Sequence, residues 1–172
     1  RREGYLEGNG YAVTWAFGHL IGLAMPQDYG ITGFQAENLP ILPTEFKLLP
    51  RQVKDGKEYK PDPGTMKQLK VIKELFNKCE RIVVATDAGR EGELIFRLVY
   101  DQAKCKKPFE RLWISSMEDQ AISDGFSHLK NGREYDDLYR AALCRERADW
   151  IVGMNATRLF STLYGQTLNV GR

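Results

Sequence analysis

The hydrophobic and polar positions of this chain fall into distinct patterns along its length. Near the start, Tyr11, Val13, Trp15 and Phe17 alternate with smaller residues behind the turn Glu7-Gly8-Asn9-Gly10. A period of two beside a Gly-rich turn predicts a hairpin over about residues 4–17. Met66, Leu69, Ile72, Leu75 and Phe76 instead recur at helical spacing and predict an amphipathic helix over about 65–79. The run Ile82-Val83-Val84-Ala85 reads as a strand covered on both faces. A turn with Gly89 follows, then a helix over about 91–103 and a short strand at about 110–114. Ser116-Met117-Glu118-Asp119 has the form of an N-cap with an acid three residues on, opening a helix to about Lys130. A long helix is expected over about 135–164, stopped by Gly165. Residues 26–64 carry Pro and Gly without a period and read as ordered loop, because Phe34, Leu39, Ile41, Leu42 and Phe46 are interspersed. This alternation predicts an α/β fold, a parallel sheet with flanking helices.

Length and composition narrow the class. With 172 residues and 42% hydrophobic content, the chain can form one medium domain, or one domain and part of another. No apolar run approaches the ~20 residues of a membrane span, so no membrane partner is expected. The three cysteines, Cys79, Cys105 and Cys144, contain no CxxC pair, which argues against a zinc ribbon or disulfide framework and for a reducing cytoplasm. A net charge of +2 is uninformative about nucleic acid, so any DNA binding must arise from local clustering of charge. Both ends read as cuts through a longer protein.

The densest chemistry lies in Asp87-Ala88-Gly89-Arg90-Glu91-Gly92-Glu93. Asp87 falls at the carboxyl end of a buried strand, where open α/β sheets place their ligand crevice. Glu91 falls in the first turn of the next helix, so both carboxylates can face one small volume. Mg²⁺ takes one or two carboxylates on rigid backbone, with water and phosphate completing its shell. Arg90 is placed to orient a phosphate there. The same residues also suit a turn cap and a helix-dipole partner, or a receiver-type phosphoacceptor aspartate.

On the long helix, at ~100° per residue, Arg140, Arg147 and Arg158 fall near one line. Five arginines stand against Glu146 and Asp149 between Leu138 and Arg172. Leu138, Ala142, Val152, Ala156, Leu159 and Leu163 are expected to form the opposite, core-facing stripe, with Arg145 and Asp149 as an ion pair within it. The basic line suits either a solvated face or a nucleic-acid surface, and Trp150 suits either core or base stacking.

The acidic motif after its strand resembles that of the TOPRIM domain as found in type IA DNA topoisomerases. Val13-Thr14-Trp15-Ala16-Phe17-Gly18-His19-Leu20, Leu39-Pro40-Ile41-Leu42-Pro43 and Lys67-Gln68-Leu69 also resemble that family. So do Arg147-Ala148-Asp149-Trp150, Gly153-Met154-Asn155-Ala156-Thr157-Arg158 and Val170-Gly171-Arg172. These segments cover nearly the whole chain in order, and the bacterial topoisomerase III branch is the best fit.

The resemblance implies a bacterial, cytoplasmic and nucleoid-associated enzyme. Using Mg²⁺ and no ATP, it would cut one DNA strand through a phosphotyrosine, pass a strand and reseal. It would thereby relax negative supercoils or decatenate DNA. Asp87 and Glu91 become the metal acids and Arg90 the phosphate-positioning residue. Trp150, Arg158, Asn169, Val170, Gly171, Arg172 and, more loosely, Phe34 become contacts to single-stranded DNA. Residues 1–116 would be a TOPRIM domain without its first strand, and 117–172 the mostly helical start of the DNA-binding domain. Three departures stand out. Gly89 replaces the family's second aspartate. The first-strand glutamate falls outside the chain. No tyrosine here has the nucleophile's threonine-tyrosine-x-arginine context, so the chain alone should be inactive. His19 reads as a structural turn residue. Another TOPRIM phosphotransfer enzyme, such as a primase or nuclease, or a non-catalytic DNA-binding module, would also carry the acidic turn.

Overall fold

The computed structural model describes residues 2–56, 58–165 and 168–170. The chain forms two compact units, one from Arg1–Gly22 and Pro50–Ala142, the other from Leu23–Leu49 and Leu143–Arg172.

The first unit begins with the expected hairpin. β1 (Tyr5–Gly8) pairs antiparallel with β2 (Tyr11–Thr14), and Gly8 faces Tyr11. That register leaves Asn9-Gly10 as a two-residue turn with φ of 50° and 80°. Both central residues need positive φ in the turn that matches strand twist, which is why Asn and Gly stand there. β3 (Ile21–Leu23) and β4 (Leu48–Pro50) form a second pair.

The loop expected through residue 64 contains one more hairpin, β5 (Gln52–Asp55) against β6 (Glu58–Pro61). Its strands read Gln-Val-Lys-Asp and Glu-Tyr-Lys-Pro, with no apolar face and little burial, so the period-two signal is missing. The backbone ladder alone makes these residues strands.

α1 (Pro63–Lys78) starts where Asp62 caps it, its carboxylate accepting from the Thr65 N–H at 2.9 Å and the Thr65 hydroxyl at 2.8 Å. Pro63 at the first helical position forfeits no helical hydrogen bond. Gln68 on α1 is buried, and its amide nitrogen lies 3.1, 3.0 and 2.7 Å from Gly4 O, Thr14 Oγ1 and Trp15 O. Two amide hydrogens serve those three acceptors and fasten the first hairpin to α1.

β7 (Ile82–Val84) leads through a turn into α2 (Arg90–Gln102) and then β8 (Phe109–Arg111), which pairs parallel with β7. Ile72 and Phe76 of α1, Ile82 and Val84 of β7, and Leu94 and Leu98 of α2 are all buried, giving the α/β core predicted from the alternation. α3 runs only from Asp119 to Ser127. The expected cap, Ser116, accepts from the Glu118 N–H two residues on at 3.2 Å, a local turn that delays the helix. Beyond α3, β9 (Lys130–Asn131) pairs antiparallel with β8, so Lys130 belongs to the sheet.

α4 (Asp136–Tyr164) contributes its start to the first unit and the rest to the second. Of the stripe expected in the core, Ala142 is buried and Leu138 and Ala156 are half-buried, but Val152, Leu159 and Leu163 are exposed, whereas Trp150, Arg158 and Ser161 are buried. Trp150 and Ser161 find hydrogen-bond partners, which removes the penalty that the binary pattern assumes, whereas the Arg158 Nε has none among the described residues. Ser161 Oγ accepts from Leu168 N at 2.9 Å, and Thr157 Oγ1 accepts from Val170 N at 3.0 Å, so residues 168–170 fold back along the helix. Arg145 and Asp149 do pair, at 3.6 Å, but both are well exposed and the pair contributes little. No helix among the described residues is long and apolar enough to cross a membrane.

Candidate metal centre and nucleic-acid surface

The acidic turn is built from backbone contacts. A Cβ placed on Gly92 would lie 2.1 Å from the Asp87 carbonyl oxygen, so only glycine lets α2 come this close to the end of β7. The Thr86 hydroxyl donates to the Gly92 carbonyl at 2.7 Å and closes the turn from the other side. Gly89 differs: its φ of 176° is ordinary extended backbone, and a Cβ there meets nothing within 4 Å.

Beneath the turn lies Arg111, fully buried at the end of β8. It donates to the carbonyls of Val84 at 3.0 Å, Thr86 at 2.7 Å and Asp87 at 2.6 Å. Burial pushes its pKa down, and its ion pair with the equally buried Glu93, at 3.0 Å, opposes that fall. Arg97 holds the other Glu93 oxygen at 2.8 Å and reaches Asp136 at 2.8 Å. Removing charges from water is costly unless their hydrogen bonds are made, and here every nitrogen of the Arg111 guanidinium and both oxygens of the Glu93 carboxylate have a partner. The chain of charges fixes the peptide positions of Thr86 and Asp87.

On this frame the two acids differ. Asp87 is exposed, and among the described residues its carboxylate has no hydrogen bond or ion pair. Glu91 is half-exposed and takes Arg90 Nη2 at 3.2 Å on one oxygen and His19 Nε2 at 3.3 Å on the other. Burial alone would raise its pKa, but hydrogen bonds from Arg90 and His19 outweigh it and hold the carboxyl below its usual range. His19, read from the sequence as a turn residue, therefore stands against one of the two acids. Only its Gly-His turn hinted at this, because the pairing spans 72 positions of sequence.

Among the described residues no group of three or more His, Cys, Asp or Glu side chains converges to hold a metal. An all-protein cage is thus not formed. Two carboxylates beside the N-terminus of α2 fit an ion that keeps waters and shares a phosphate, because that helix end also favours an anion. A cavity of about 450 Å³ lined by Tyr100, Lys106, Phe109, Asn131 and Arg133 lies at the opposite, amino-terminal end of β8 and is separate from this turn.

Residues 2–117 match the Toprim domain. The chain belongs to the Toprim family. In its relatives the likeness runs further than that domain. A DNA topoisomerase 3 of Staphylococcus aureus strain USA300 is 49% identical over 176 residues, taking in 100% of this chain and 23% of the relative. A putative DNA topoisomerase 3 of Staphylococcus aureus strain bovine RF122 / ET3-1 shows the same identity and the same coverage. The chain thus spans about a quarter of the length of the curated relatives it matches. The type IA resemblance read from the motifs agrees with both relatives.

Beyond the Toprim match, the residues expected to meet DNA sit in varied settings. Trp150 is only 7% exposed; its indole N–H donates to Ala24 O at 2.9 Å, and Tyr29 and Phe46 pack edge-on against its ring. That is a core position, and the ring offers no free face to a base. Arg158 is likewise buried, under Phe34. Asn169 is exposed and Val170 half-buried on the segment clipped to α4. Gly171 and Arg172 lie outside the described residues. Arg140 and Arg147 are exposed, Arg140 paired with Asp137 at 2.6 Å and Arg147 over the Phe46 ring. Asn155 clamps Ile41, accepting from its N–H at 2.6 Å and donating to its carbonyl at 2.9 Å, which explains an amide in the Gly-Met-Asn-Ala-Thr-Arg segment.

Proposed function

We propose that this chain is a piece of a type IA DNA topoisomerase in which Asp87 and Glu91 hold Mg²⁺ and Arg90 positions a DNA phosphate. The observation that carries this reading is the extent of the likeness. The identity to DNA topoisomerase 3 continues through residue 172, past the Toprim match that ends at 117, which favours this enzyme over other Toprim phosphotransferases. When bound, the metal would neutralise charge on the phosphoryl group exchanged between a tyrosine and a DNA 5′ end.

The roles of this chain's own groups follow from their settings. Arg111 holds the Asp87 peptide rigid, and His19 and Arg90 orient Glu91. Arg90 supplies a guanidinium, and the N-terminus of α2 supplies N–H dipoles, to the same phosphate. The Toprim domain is assigned to about residue 116, and 117–172 to the start of the DNA-binding domain. There, Arg158, Asn169, Val170, Gly171 and Arg172 would track a single strand, with Trp150 as packing behind them. The whole protein would relax negatively supercoiled DNA or decatenate it in the bacterial cytoplasm, at the nucleoid.

A fluorescence-anisotropy titration of a single-stranded oligonucleotide tests the reading. Binding at low salt that weakens linearly on a log–log salt plot is expected, with Mg²⁺ strengthening it in the wild type but not in Asp87→Asn. Absence of any single-strand affinity at low salt would contradict it.

A further inference from the structure

Arg158 is 8% exposed, and among the described residues no carboxylate pairs with it. Its Nε has no hydrogen-bond partner there, while one Nη reaches only Met154, at 3.2 Å to the carbonyl and 3.6 Å to the sulfur. The Phe34 ring lies over the guanidinium, 5.0 Å from centroid to Cζ, and is itself 40% exposed. The backbone beneath that ring is held: Thr162 Oγ1 lies 2.7 Å from Phe34 O and 2.9 Å from Arg158 O, its one hydroxyl hydrogen shared between the two carbonyls. The Phe34 side chain is therefore the part free to move, and it is the group that covers the cation. A desolvated guanidinium without a counter-ion is an unfavourable resting state, only partly offset by an aromatic face. A phosphate would satisfy it far better, through the vacant Nε and an adjacent Nη side by side.

We infer that Phe34 is a shield over Arg158 that a nucleic-acid phosphate displaces when a single strand binds. This rests on the reading of the second unit as a single-strand-binding element, and it gives Phe34 a role opposite in sign to base stacking. A shield lowers apparent affinity by the fraction of molecules in which it is open. Its removal must tighten binding, and only when Arg158 is present. A stacking ring, once removed, would weaken binding whatever stands at 158.

The experiment compares the wild-type chain with Phe34→Ala, Arg158→Gln and the double variant. An oligodeoxythymidylate is the probe, and circular dichroism checks folding. Phe34→Ala is expected to tighten binding roughly five- to tenfold beside Arg158, a range consistent with losing a buried cation–π contact, and to leave the Arg158→Gln background unchanged. Phe34→Leu, which keeps bulk without a ring face, must move affinity the same way and stands in if the alanine variant unfolds. Weaker binding in Phe34→Ala, or equal tightening in both backgrounds, would overturn the shield. If no form binds the oligonucleotide, the single-strand reading falls and hydrogen exchange of the Arg158 Nε–H, followed by NMR, decides the shield alone. Exchange must accelerate in Phe34→Ala, and inorganic phosphate must then perturb the resonance. Unchanged exchange contradicts the inference.

Discussion

The carbonyl of Asp87 rests on the bare Cα of Gly92, with 2.1 Å between that oxygen and the place a Cβ would occupy. The neighbouring atoms are backbone, so nothing can rotate aside. Gly92→Ala should force β7 and α2 apart and destabilise the chain by about 3 kcal/mol, as overpacking against an unyielding neighbour does. Urea unfolding measures this, and a change under about 1 kcal/mol would show that the turn gives way easily.

Gly89 invites the opposite substitution. Its extended backbone and open surroundings can accept a side chain, so Gly89→Asp should alter stability by no more than about 0.5 kcal/mol. A third carboxylate beside Asp87 and Glu91 should at the same time strengthen Mg²⁺ binding, read calorimetrically. Unchanged affinity in a folded variant would place position 89 away from the ion.

Arg111 and Glu93 form the buried pair beneath the turn. Arg111→Met strands Glu93 with Arg97 as its remaining partner and takes the Arg111 donor from the Thr86 and Asp87 carbonyls of the turn, which should destabilise by about 3–5 kcal/mol. Because the two residues share one network, the loss in Arg111→Met/Glu93→Leu should fall well short of the sum of the single losses. Additive losses in a double-mutant cycle would contradict that coupling.

How much of this was legible in the residues depends on how local the cause is. The Asn9-Gly10 turn, the Met66–Phe76 periodicity and the Ile82–Ala85 run each encode their element within a short stretch, and all three elements are present. The acidic motif lies on the expected strand, turn and helix for the same reason. The β5–β6 hairpin was not, because Gln52, Lys54, Glu58 and Lys60 leave no apolar face to read. The later turns of α4 depart from the expected stripe, which holds at Ala142, because Arg158 and Ser161 are buried through contacts with Phe34 and Leu168 that no helical periodicity reveals. His19 meets Glu91, and Arg111 meets the turn, across long sequence separations. An arginine inside the apolar stretch around Leu112 was the one available signal for the second.

Acidification should act on α1 through its cap. The Thr65 hydroxyl and then its N–H hold the Asp62 carboxyl below the usual 3.8. A depressed pKa contributes stability that is complete above the unfolded value and is lost as pH falls through the lower folded one. Stability from this group is therefore level above about pH 4 and declines below it. Asp62→Asn, which can still accept from Thr65, should remove that component of the decline. An unchanged acid limb in the variant would assign it to other carboxylates.

The most direct test concerns the ion itself. Calorimetric titration of the wild-type chain with Mg²⁺ should show weak binding, because only two acids are present, and that binding should disappear in Asp87→Asn and equally in Glu91→Gln. Tight binding that Asp87→Ala removes but Glu91→Ala leaves intact would contradict a centre shared by the two carboxylates.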